Sequence, residues 1–214
     1  MKPLGILGGT FDPVHHGHLR LAIEMAEALD LAEVRLVPLY LPPHREPPTA
    51  PAALRLRMLD AAVADTPPLT VDDRELRRAR LSYTVETLAE LRGELPGRPL
   101  CLILGMDAFA GLEGWQRWRE ILGLAHLAVA KRPGSALSPS SPIHDVIDRH
   151  GVTDPLDLHR REAGCLLIRD VPALDISASA IRARIAAGRS PRHLLPDAVL
   201  KLIEGDSLYR ETAK

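Results

Sequence analysis

The stretch GGTFDPVHHGH, residues 8–18, brings three glycines, an aspartate, a proline and three histidines together within eleven positions. The overlapping run PLGILG, residues 3–8, is apolar and ends in glycine, a pattern that predicts a buried strand. From Leu19 to Leu29 apolar residues recur every three or four positions, which predicts a helix. The stretch therefore predicts a strand, a glycine-containing loop and a helix in direct succession, which is the local unit of an α/β fold.

The three histidines of this stretch can be metal ligands, structural residues or part of an anion site. A structural zinc site needs four ligands, and neither a cysteine nor a second histidine pair lies near His15, His16 and His18 in the sequence. The glycines also fail to match the dinucleotide fingerprint G-x-G-x-x-G, and the G-K-[ST] of a P-loop does not occur in this stretch. Metal ligation is the less favoured interpretation, and we interpret His16 as a structural residue.

An anion site fits the residue types of this stretch better. Gly8 and Gly9 allow the backbone to approach a ligand closely, and Thr10 adds a hydroxyl group and an amide. The helix that follows directs free amides and the positive end of its dipole toward an anion. His15 and His18, three positions apart, can face the same ligand and donate hydrogen bonds to a phosphate.

The remainder of the chain alternates apolar strands with amphipathic helices. Such alternation predicts parallel strands with helices on both faces, and a ligand site at the carboxyl ends of the strands. We predict an α/β fold with a Rossmann-like doubly wound parallel sheet, in a single domain that covers residues 1–214. The predicted strands are 3–8, 34–39, 69–73, 100–105, 126–132 and 165–171, and the predicted helices are 19–29, 54–64, 82–95, 178–187 and 196–204.

Two local features complete this prediction. Residues 133–164 begin with PGSALSPSSP and are weakly periodic, which predicts a surface loop or excursion rather than a domain boundary. Ser82 is predicted as the N-cap of the helix that it opens.

The composition is that of an ordinary globular protein, with 46% hydrophobic residues, 26% charged residues and a net charge of −1. No apolar run approaches the ~20 residues of a membrane span, and MKPLGILGG does not resemble a signal peptide. Cys101 lies in an apolar strand far from Cys165, so we expect a buried thiol and a cytoplasmic location. The basic cluster ELRRARLS (75–82) is interpreted as a solvated face, and we expect neither a nucleic-acid nor a membrane partner.

Two separated motifs resemble those of the nucleotidylyltransferase superfamily. The first is TFDP at residues 10–13 followed by HHGH at residues 15–18, and the second is ISASAIR at residues 176–182. In that superfamily the second motif opens a helix whose serine, amides and arginine meet the nucleotide triphosphate. The two motifs in this order, about 160 residues apart, are far more specific than either alone.

The rest of the chain is similar to bacterial nicotinate-nucleotide adenylyltransferases, from residue 4 to about residue 210. The segments that carry this similarity are PPHR (42–45), SYTVETL (82–88), GMD (105–107) with Trp115 and Trp118, KRPG (131–134) and residues 188–209. Three positions depart from the family pattern: Arg45 replaces a lysine, Met106 a small residue and Gln116 a tyrosine.

The resemblance implies transfer of AMP from ATP to nicotinate mononucleotide, giving nicotinate adenine dinucleotide and pyrophosphate in NAD biosynthesis. It implies His18, His15 and Arg182 as catalytic residues, with His18 the first choice for stabilising the transition state. The residues implied to bind ATP are Gly8, Gly9, Thr10, Phe11, His15, His18, His44, Arg45, Gly105, Asp107, Ile176, Ser177, Ser179 and Arg182. Mg²⁺ is expected as a cofactor that arrives with ATP.

The resemblance also implies a site for the second substrate. Trp115 is expected to stack on the pyridine ring, and Thr84 and the amide of Gln116 to meet the nicotinate carboxylate. Arg132 is expected to bind the mononucleotide phosphate, and Asp107 to reach ribose hydroxyl groups or the pyridinium charge.

Five of these positions keep a structural alternative. Trp115 and Trp118 can be core residues, Arg132 a surface arginine and Asp107 the N-cap of a helix. Asp12 can be an outer-sphere partner of Mg²⁺ or a carboxylate that organises its loop through backbone amides.

Other functions also stay open at this point. The same fold can transfer AMP to nicotinamide mononucleotide or to phosphopantetheine, although pantetheine-specific relatives are shorter and lack the SYTVETL and double-tryptophan block. A non-catalytic nucleotide-binding module is the alternative from another class. The oligomeric state is open, with a homo-oligomer as one option.

Overall fold

The structure is a computed structural model that describes residues 1–43, 46–132, 137, 141, 143–172 and 174–210. Its strands are β1 (Leu4–Gly9), β2 (Glu33–Pro38), β3 (Leu69–Val71), β4 (Leu100–Gly105), β5 (His126–Lys131), β6 (Gly151–Val152) and β7 (Leu166–Asp170). Its helices are α1 (His16–Ala28), α2 (Ala52–Val63), α3 (Arg74–Arg78), α4 (Thr84–Glu94), α5 (Met106–Ala110), α6 (Trp118–Leu124), α7 (His144–His150), α8 (Asp157–Arg160), α9 (Ala178–Ala186) and α10 (Asp197–Gly205), with a 3₁₀ turn at Leu112–Gly114.

The described strands form one parallel sheet in the order β3-β2-β1-β4-β5-β7-β6. From β1 the chain proceeds to β2 and β3 on one side, and from β4 to β5 and β7 on the other. The direction of winding therefore reverses between β1 and β4, and this switch point is where such sheets bind ligands. Gly9 and Gly105 end these two strands. The observed topology confirms the predicted fold class.

Two hydrophobic clusters cover the two faces of the sheet. In β4, Leu100, Leu102 and Leu104 belong to the second cluster, whereas Cys101 and Ile103 belong to the first. Helices α1, α2, α9 and α10 contribute to the first cluster, and α4 to α7 contribute to the second. This division explains why β4 is a continuous apolar run, since both of its faces are buried.

The segment 133–164, predicted as a surface loop or excursion, contains helices and a strand over much of its described length. It contains α7, β6 and α8, and β6 pairs in parallel with β7 at the edge of the sheet. The loop interpretation is wrong for these elements. Val146 and Leu158 anchor the two short helices, which are too brief for their apolar periodicity to stand out in the sequence. The extent of the single domain over 1–214 stays a prediction.

The predicted role of Ser82 is also wrong. Tyr83 occupies the N-cap position of α4, without a side-chain cap. The Ser82 hydroxyl instead accepts a hydrogen bond of 2.9 Å from the Tyr40 N–H, and the Ser82 N–H donates to the Leu41 carbonyl. The serine therefore joins two loops rather than starting a helix.

The basic cluster 75–82 does not form a uniformly solvated face. Arg78 is only 13% exposed in its side chain and lies within 3.4 Å of Glu86 and 3.3 Å of Glu90. The adjoining Arg74 is bound by Asp72 and Glu94 in the same way. Carboxylates therefore already neutralise these two cations, and the solvated-face interpretation fails for Arg78.

The described part of the chain contains no helix that is long and apolar enough to cross a membrane. Cys101 and Cys165 are both free and buried, as expected for Cys101.

Candidate active site

The loop after β1 is shaped by the ring of Phe11. Phe11 has a φ of 49°, in the left-handed region that few non-glycine residues adopt, and it is 1% exposed. A Cβ at Gly9 would lie 2.9 Å from this ring, so a side chain there would displace it. The loop therefore turns tightly at the strand end and leads directly to α1.

The imidazole rings of His15 and His18 lie together at the start of α1, as the spacing predicts. The rings stack with centroids 3.7 Å apart and an interplanar angle of 25°. His15 occupies the N-cap position, and its backbone N–H donates to Nδ1 of His18 at 3.3 Å. A neutral His18 whose Nδ1 accepts a hydrogen bond carries its proton on Nε2. That Nε2–H is a donor with a fixed direction.

Lowered pKa values keep both imidazole rings neutral at pH 7 in the ligand-free protein. Burial is the main cause that lowers the pKa of His15 to about 4 and that of His18 to about 3. The positive charge of Arg132 lowers both pKa values further. Within the described part of the chain, Nδ1 of His15 is buried without a hydrogen-bond partner. Two imidazoles and a nearby cation make this region favourable for a polyanion.

These lowered pKa values predict that the ligand-free protein loses stability as the pH falls below 6.5. In the unfolded chain both histidines take up protons near pH 6.5, whereas in the folded protein they stay neutral down to about pH 4. The unfolded state therefore binds more protons in this window. We expect the free energy of unfolding to fall by about 3–4 kcal/mol between pH 7 and pH 5, with the two histidines contributing similar amounts, measured by urea unfolding.

The variant His18→Asn provides the control for this prediction. Its amide can still accept a hydrogen bond from the His15 N–H, but it does not titrate. We expect a smaller loss of stability in this variant than in the wild type. An equal loss would assign the pH dependence to other groups, such as His126, whose pKa burial also lowers.

Gly17 allows the two sequence motifs to meet. A Cβ at Gly17 would lie 3.0 Å from the His15 ring and 3.3 Å from the backbone oxygen of Ile176. Ile176 precedes α9 and packs against the first cluster. The backbone of the second motif therefore approaches the first turn of α1 where a larger residue would be crowded.

The start of α9 has the features that the sequence predicts for an anion site. The Ser177 hydroxyl caps the helix by accepting a hydrogen bond of 3.2 Å from the Ala180 N–H. The hydroxyl groups of Ser177 and Ser179 are 3.2 Å apart. The first amides of a helix have no partner within the helix, so this end is suited to bind phosphate oxygens.

Arg182 projects from α9 back to the first motif. Its Nη1 donates a hydrogen bond of 2.6 Å to the backbone oxygen of Asp12 and lies 3.9 Å from Oδ2 of the same residue. Asp12 is 3% exposed, and its carboxylate accepts hydrogen bonds from the N–H groups of Thr49 (2.7 Å) and Ala50 (3.1 Å). These contacts support the loop-organising alternative for Asp12 over an outer-sphere role.

Sequence reasoning overlooks two residues that hold this loop, Arg55 and Tyr209. The hydroxyl of Tyr209 donates a hydrogen bond of 2.6 Å to Oδ1 of Asp12. Arg55 is 1% exposed. Its guanidinium donates to three backbone oxygens, those of Thr10 (2.8 Å), Ala50 (3.2 Å) and Tyr40 (3.3 Å).

The residues assigned to the second substrate lie along the elements of the second cluster. Thr84 is the first residue of α4, where helix amides are unpaired. Trp115 and Trp118 both pack partly against the second cluster, so part of each ring serves the core. Gln116 is exposed between them. Among the described residues no hydrogen bond joins Thr84 to Trp115 or Gln116, so the carboxylate pocket that combines them stays a prediction.

Asp107 and Arg132 follow the ends of β4 and β5. Gly105 occupies the N-cap position of α5, so the N-cap alternative for Asp107 is wrong, and its carboxylate is exposed in the first turn. Arg132 is exposed, yet its charge acts on both His15 and His18. Arg132 is therefore an exposed arginine at the strand end whose positive charge also acts on the histidine pair.

His44 and Arg45, which the sequence assigns to the triphosphate, lie outside the described residues. Among the described residues, no group of three or more His, Cys, Asp or Glu side chains is arranged to hold a metal ion.

Comparisons with known proteins place this chain in a family. Residues 6–184 match the family described as "Cytidylyltransferase-like". The chain is 47% identical over 208 residues to a protein of Aeromonas hydrophila named "Probable nicotinate-nucleotide adenylyltransferase", covering 97% of both chains. A protein of the same name from Marinobacter nauticus is 49% identical over 205 residues, covering 95% of both.

The fold is also found among solved structures. Nicotinic acid mononucleotide adenylyltransferase of Plasmodium falciparum, solved in complex with NaAD, superposes with a TM-score of 0.75 over 98% of both chains. Its sequence identity to this chain is 14%, so this likeness concerns the fold. The full-length similarity at nearly half identity concerns the sequence itself, and the chain belongs to the nicotinate-nucleotide adenylyltransferase family, within the cytidylyltransferase-like group.

Proposed function

We propose that this protein transfers AMP from ATP to nicotinate mononucleotide and releases nicotinate adenine dinucleotide and pyrophosphate. The observation that carries the proposal is the junction of the two motifs at the switch point of the sheet. There, the Nε2–H of His18, the capped start of α9 and the guanidinium of Arg182 gather around one loop. The family to which the chain belongs supports the same reaction.

The chemistry explains why these residue types suffice. A phosphate oxygen of nicotinate mononucleotide attacks the α-phosphorus of ATP. The bond from that phosphorus to the oxygen bridging the β-phosphorus breaks, and pyrophosphate leaves with that oxygen and its electron pair. Both reactants are anions, so the protein has to bring negative charges together and stabilise the charge that develops. A protein nucleophile is not required.

We assign the phosphate-binding roles on this basis. Thr10, His15 and His18 would contact the phosphates around the α-phosphorus, with His18 donating from Nε2. Ser177, Ser179 and Arg182 would hold the β- and γ-phosphates at the start of α9. Gly8, Gly9, Phe11 and Ile176 would shape the backbone of the cradle, and Gly105 and Asp107 would bind the nucleotide at the end of β4.

Mg²⁺ is proposed to enter with ATP. Mg²⁺ usually keeps several waters and binds phosphate oxygens, so it needs few protein ligands. Asp12 is engaged by backbone amides and by Tyr209, which leaves its carboxylate little capacity for a hydrated ion. The ion would neutralise charge on the triphosphate, and the proposed phosphate-binding residues would orient the triphosphate. The free, buried thiols agree with a reducing compartment, and a cytoplasmic location is part of this proposal.

The proposed pocket for nicotinate mononucleotide distinguishes an acid from an amide. The free amides at the start of α4, with Thr84 and the backbone of Gln116, would bind the carboxylate, while Trp115 stacks on the ring. Arg132 would bind the mononucleotide phosphate beside the histidine cluster. Replacing the carboxylate with an amide leaves donors at this site without an acceptor, which is costly.

The test is pyrophosphate release with Mg²⁺ and ATP, with nicotinate and nicotinamide mononucleotides offered side by side. We expect kcat/KM to favour the acid by at least about tenfold, which corresponds to about 1.4 kcal/mol. Equal use of the amide would contradict the carboxylate pocket and retain adenylyl transfer. Release with neither acceptor, from folded protein that binds ATP, would contradict the proposed reaction.

A further inference from the structure

The side chain of Tyr209 connects the carboxyl-terminal region to the phosphate loop. Its hydroxyl donates a hydrogen bond of 2.6 Å to Oδ1 of Asp12, which lies 197 positions earlier in the chain. Tyr209 is 9% exposed and Asp12 is 3% exposed, so water is largely excluded from this bond. A short hydrogen bond to a buried carboxylate is among the stronger kinds of hydrogen bond in proteins.

The backbone before Tyr209 directs its ring inward. Ser207 has a φ of 50° and Tyr209 a φ of 62°, both in the left-handed region. Non-glycine residues in this region persist where the surrounding structure compensates for their cost. The chain turns after α10, and the ring of Tyr209 enters the first cluster. The contact with Asp12 is therefore a built feature of the fold rather than an incidental approach.

Asp12 links Tyr209 to Arg182 through hydrogen bonds. The Asp12 carboxylate has three hydrogen-bond donors, the N–H groups of Thr49 and Ala50 and the hydroxyl of Tyr209. With the carboxylate held, the backbone oxygen of Asp12 is fixed 2.6 Å from Nη1 of Arg182. Within the described residues Arg182 makes its hydrogen bond to Asp12 through Nη1, so the other N–H groups of the guanidinium can turn to a ligand.

We propose that Tyr209 is a positioning residue for adenylyl transfer: its hydroxyl holds Asp12, and Asp12 holds the guanidinium of Arg182 at the phosphate loop. This inference rests on the proposed function, in which Arg182 meets the β- and γ-phosphates. Burial and the hydrogen bond to Asp12 both raise the pKa of Tyr209, so its hydroxyl keeps its proton and remains a donor at neutral pH. Tyr209 itself does not contact the substrate.

The variant Tyr209→Phe tests the proposal, since it removes one oxygen and keeps the ring in the core. We expect kcat to fall about tenfold and KM for nicotinate mononucleotide to stay within twofold. The reason is that Arg182 acts on charge that develops on the leaving pyrophosphate, not on the acceptor. Ile203→Val is the matched control, because it removes one methyl group from α10 in the same cluster and no side-chain hydrogen bond. Its kcat should stay within twofold.

A double-mutant cycle separates positioning from general loosening. In an Arg182→Ala background, Tyr209→Phe should lower kcat by less than twofold, because the guanidinium that it positions is gone. An equal tenfold loss in both backgrounds would overturn the proposal, since the hydroxyl would then act independently of Arg182. An unchanged kcat in Tyr209→Phe alone would also overturn it.

Calorimetric binding of ATP with Mg²⁺ gives a readout that does not depend on the acceptor. A wild type that binds ATP but releases no pyrophosphate with nicotinate mononucleotide would contradict the proposed function. In that case, weaker ATP binding by Tyr209→Phe than by the wild type would still support positioning, provided that the same substitution does not weaken ATP binding in the Arg182→Ala background. In that same case, where no turnover can be measured, equal ATP affinity of the wild type and Tyr209→Phe would overturn it.

Discussion

Replacing His18 with alanine is expected to lower kcat for pyrophosphate release by about 10²–10³-fold, which corresponds to a loss of about 3–4 kcal/mol of transition-state stabilisation. The His15 amide occupies Nδ1 of His18, so the lost group is the Nε2–H donor. Burial lowers the pKa of this ring to about 3, so the free enzyme at pH 7 loses a directed neutral donor rather than a fixed cation. Binding of the triphosphate by α9 and Arg182 should survive, and KM for ATP should change much less than kcat.

His16→Ala is the matched control for this measurement. The backbone N–H of His16 donates a hydrogen bond of 3.0 Å to the Leu194 carbonyl, and alanine retains this bond. We expect kcat of this variant to stay within threefold of the wild type, with both variants folded by circular dichroism. A His18→Ala enzyme that keeps more than a third of the wild-type kcat would contradict the assigned role of His18.

Local sequence patterns predicted the parts of the fold that are themselves local. The apolar runs at β4 and β5 are buried on both faces, so each could be recognised without knowledge of its neighbours. The pairing of β6 with β7 could not be found in this way. β6 has two residues, Gly151 and Val152, and its position depends on β7 rather than on its own composition.

The same limit applies to the site. His15 and His18 were found because their spacing on one helix turn brings them together whatever the rest of the chain does. Tyr209 meets Asp12 only through the tertiary fold, and nothing around it in the sequence indicates that contact. The burial of Arg55, in contrast, could be predicted from the sequence.

The signal for Arg55 is its position on the buried face of α2. Met58, Leu59 and Ala62 follow it at three, four and seven positions, and all four residues are buried. An arginine at a core position of an amphipathic helix has to be satisfied by internal acceptors. Helical periodicity therefore predicts a buried, hydrogen-bonded cation, although it does not identify the acceptors.

Those acceptors make Arg55→Met the substitution with the largest expected effect on stability. Methionine fills similar volume, but the backbone oxygens of Thr10, Tyr40 and Ala50 lose their charged donor inside the protein. The negative charge of Asp12 raises the pKa of Arg55, which shows that the two charges attract each other. The substitution removes this attraction as well. We expect the free energy of unfolding to fall by about 3–5 kcal/mol and Tm by roughly 10 °C.

Arg57→Met, two positions along α2, provides the comparison that isolates this effect. The Arg57 side chain is 58% exposed and forms an ion pair with Asp206 at 3.7 Å. The same chemical change should therefore cost less than about 1 kcal/mol, because an exposed ion pair contributes little. Urea unfolding of the two variants measures the difference directly. Similar losses in both would mean that the three backbone oxygens find other donors when Arg55 is removed, and that the loop between β1 and α1 does not depend on this cation for its shape.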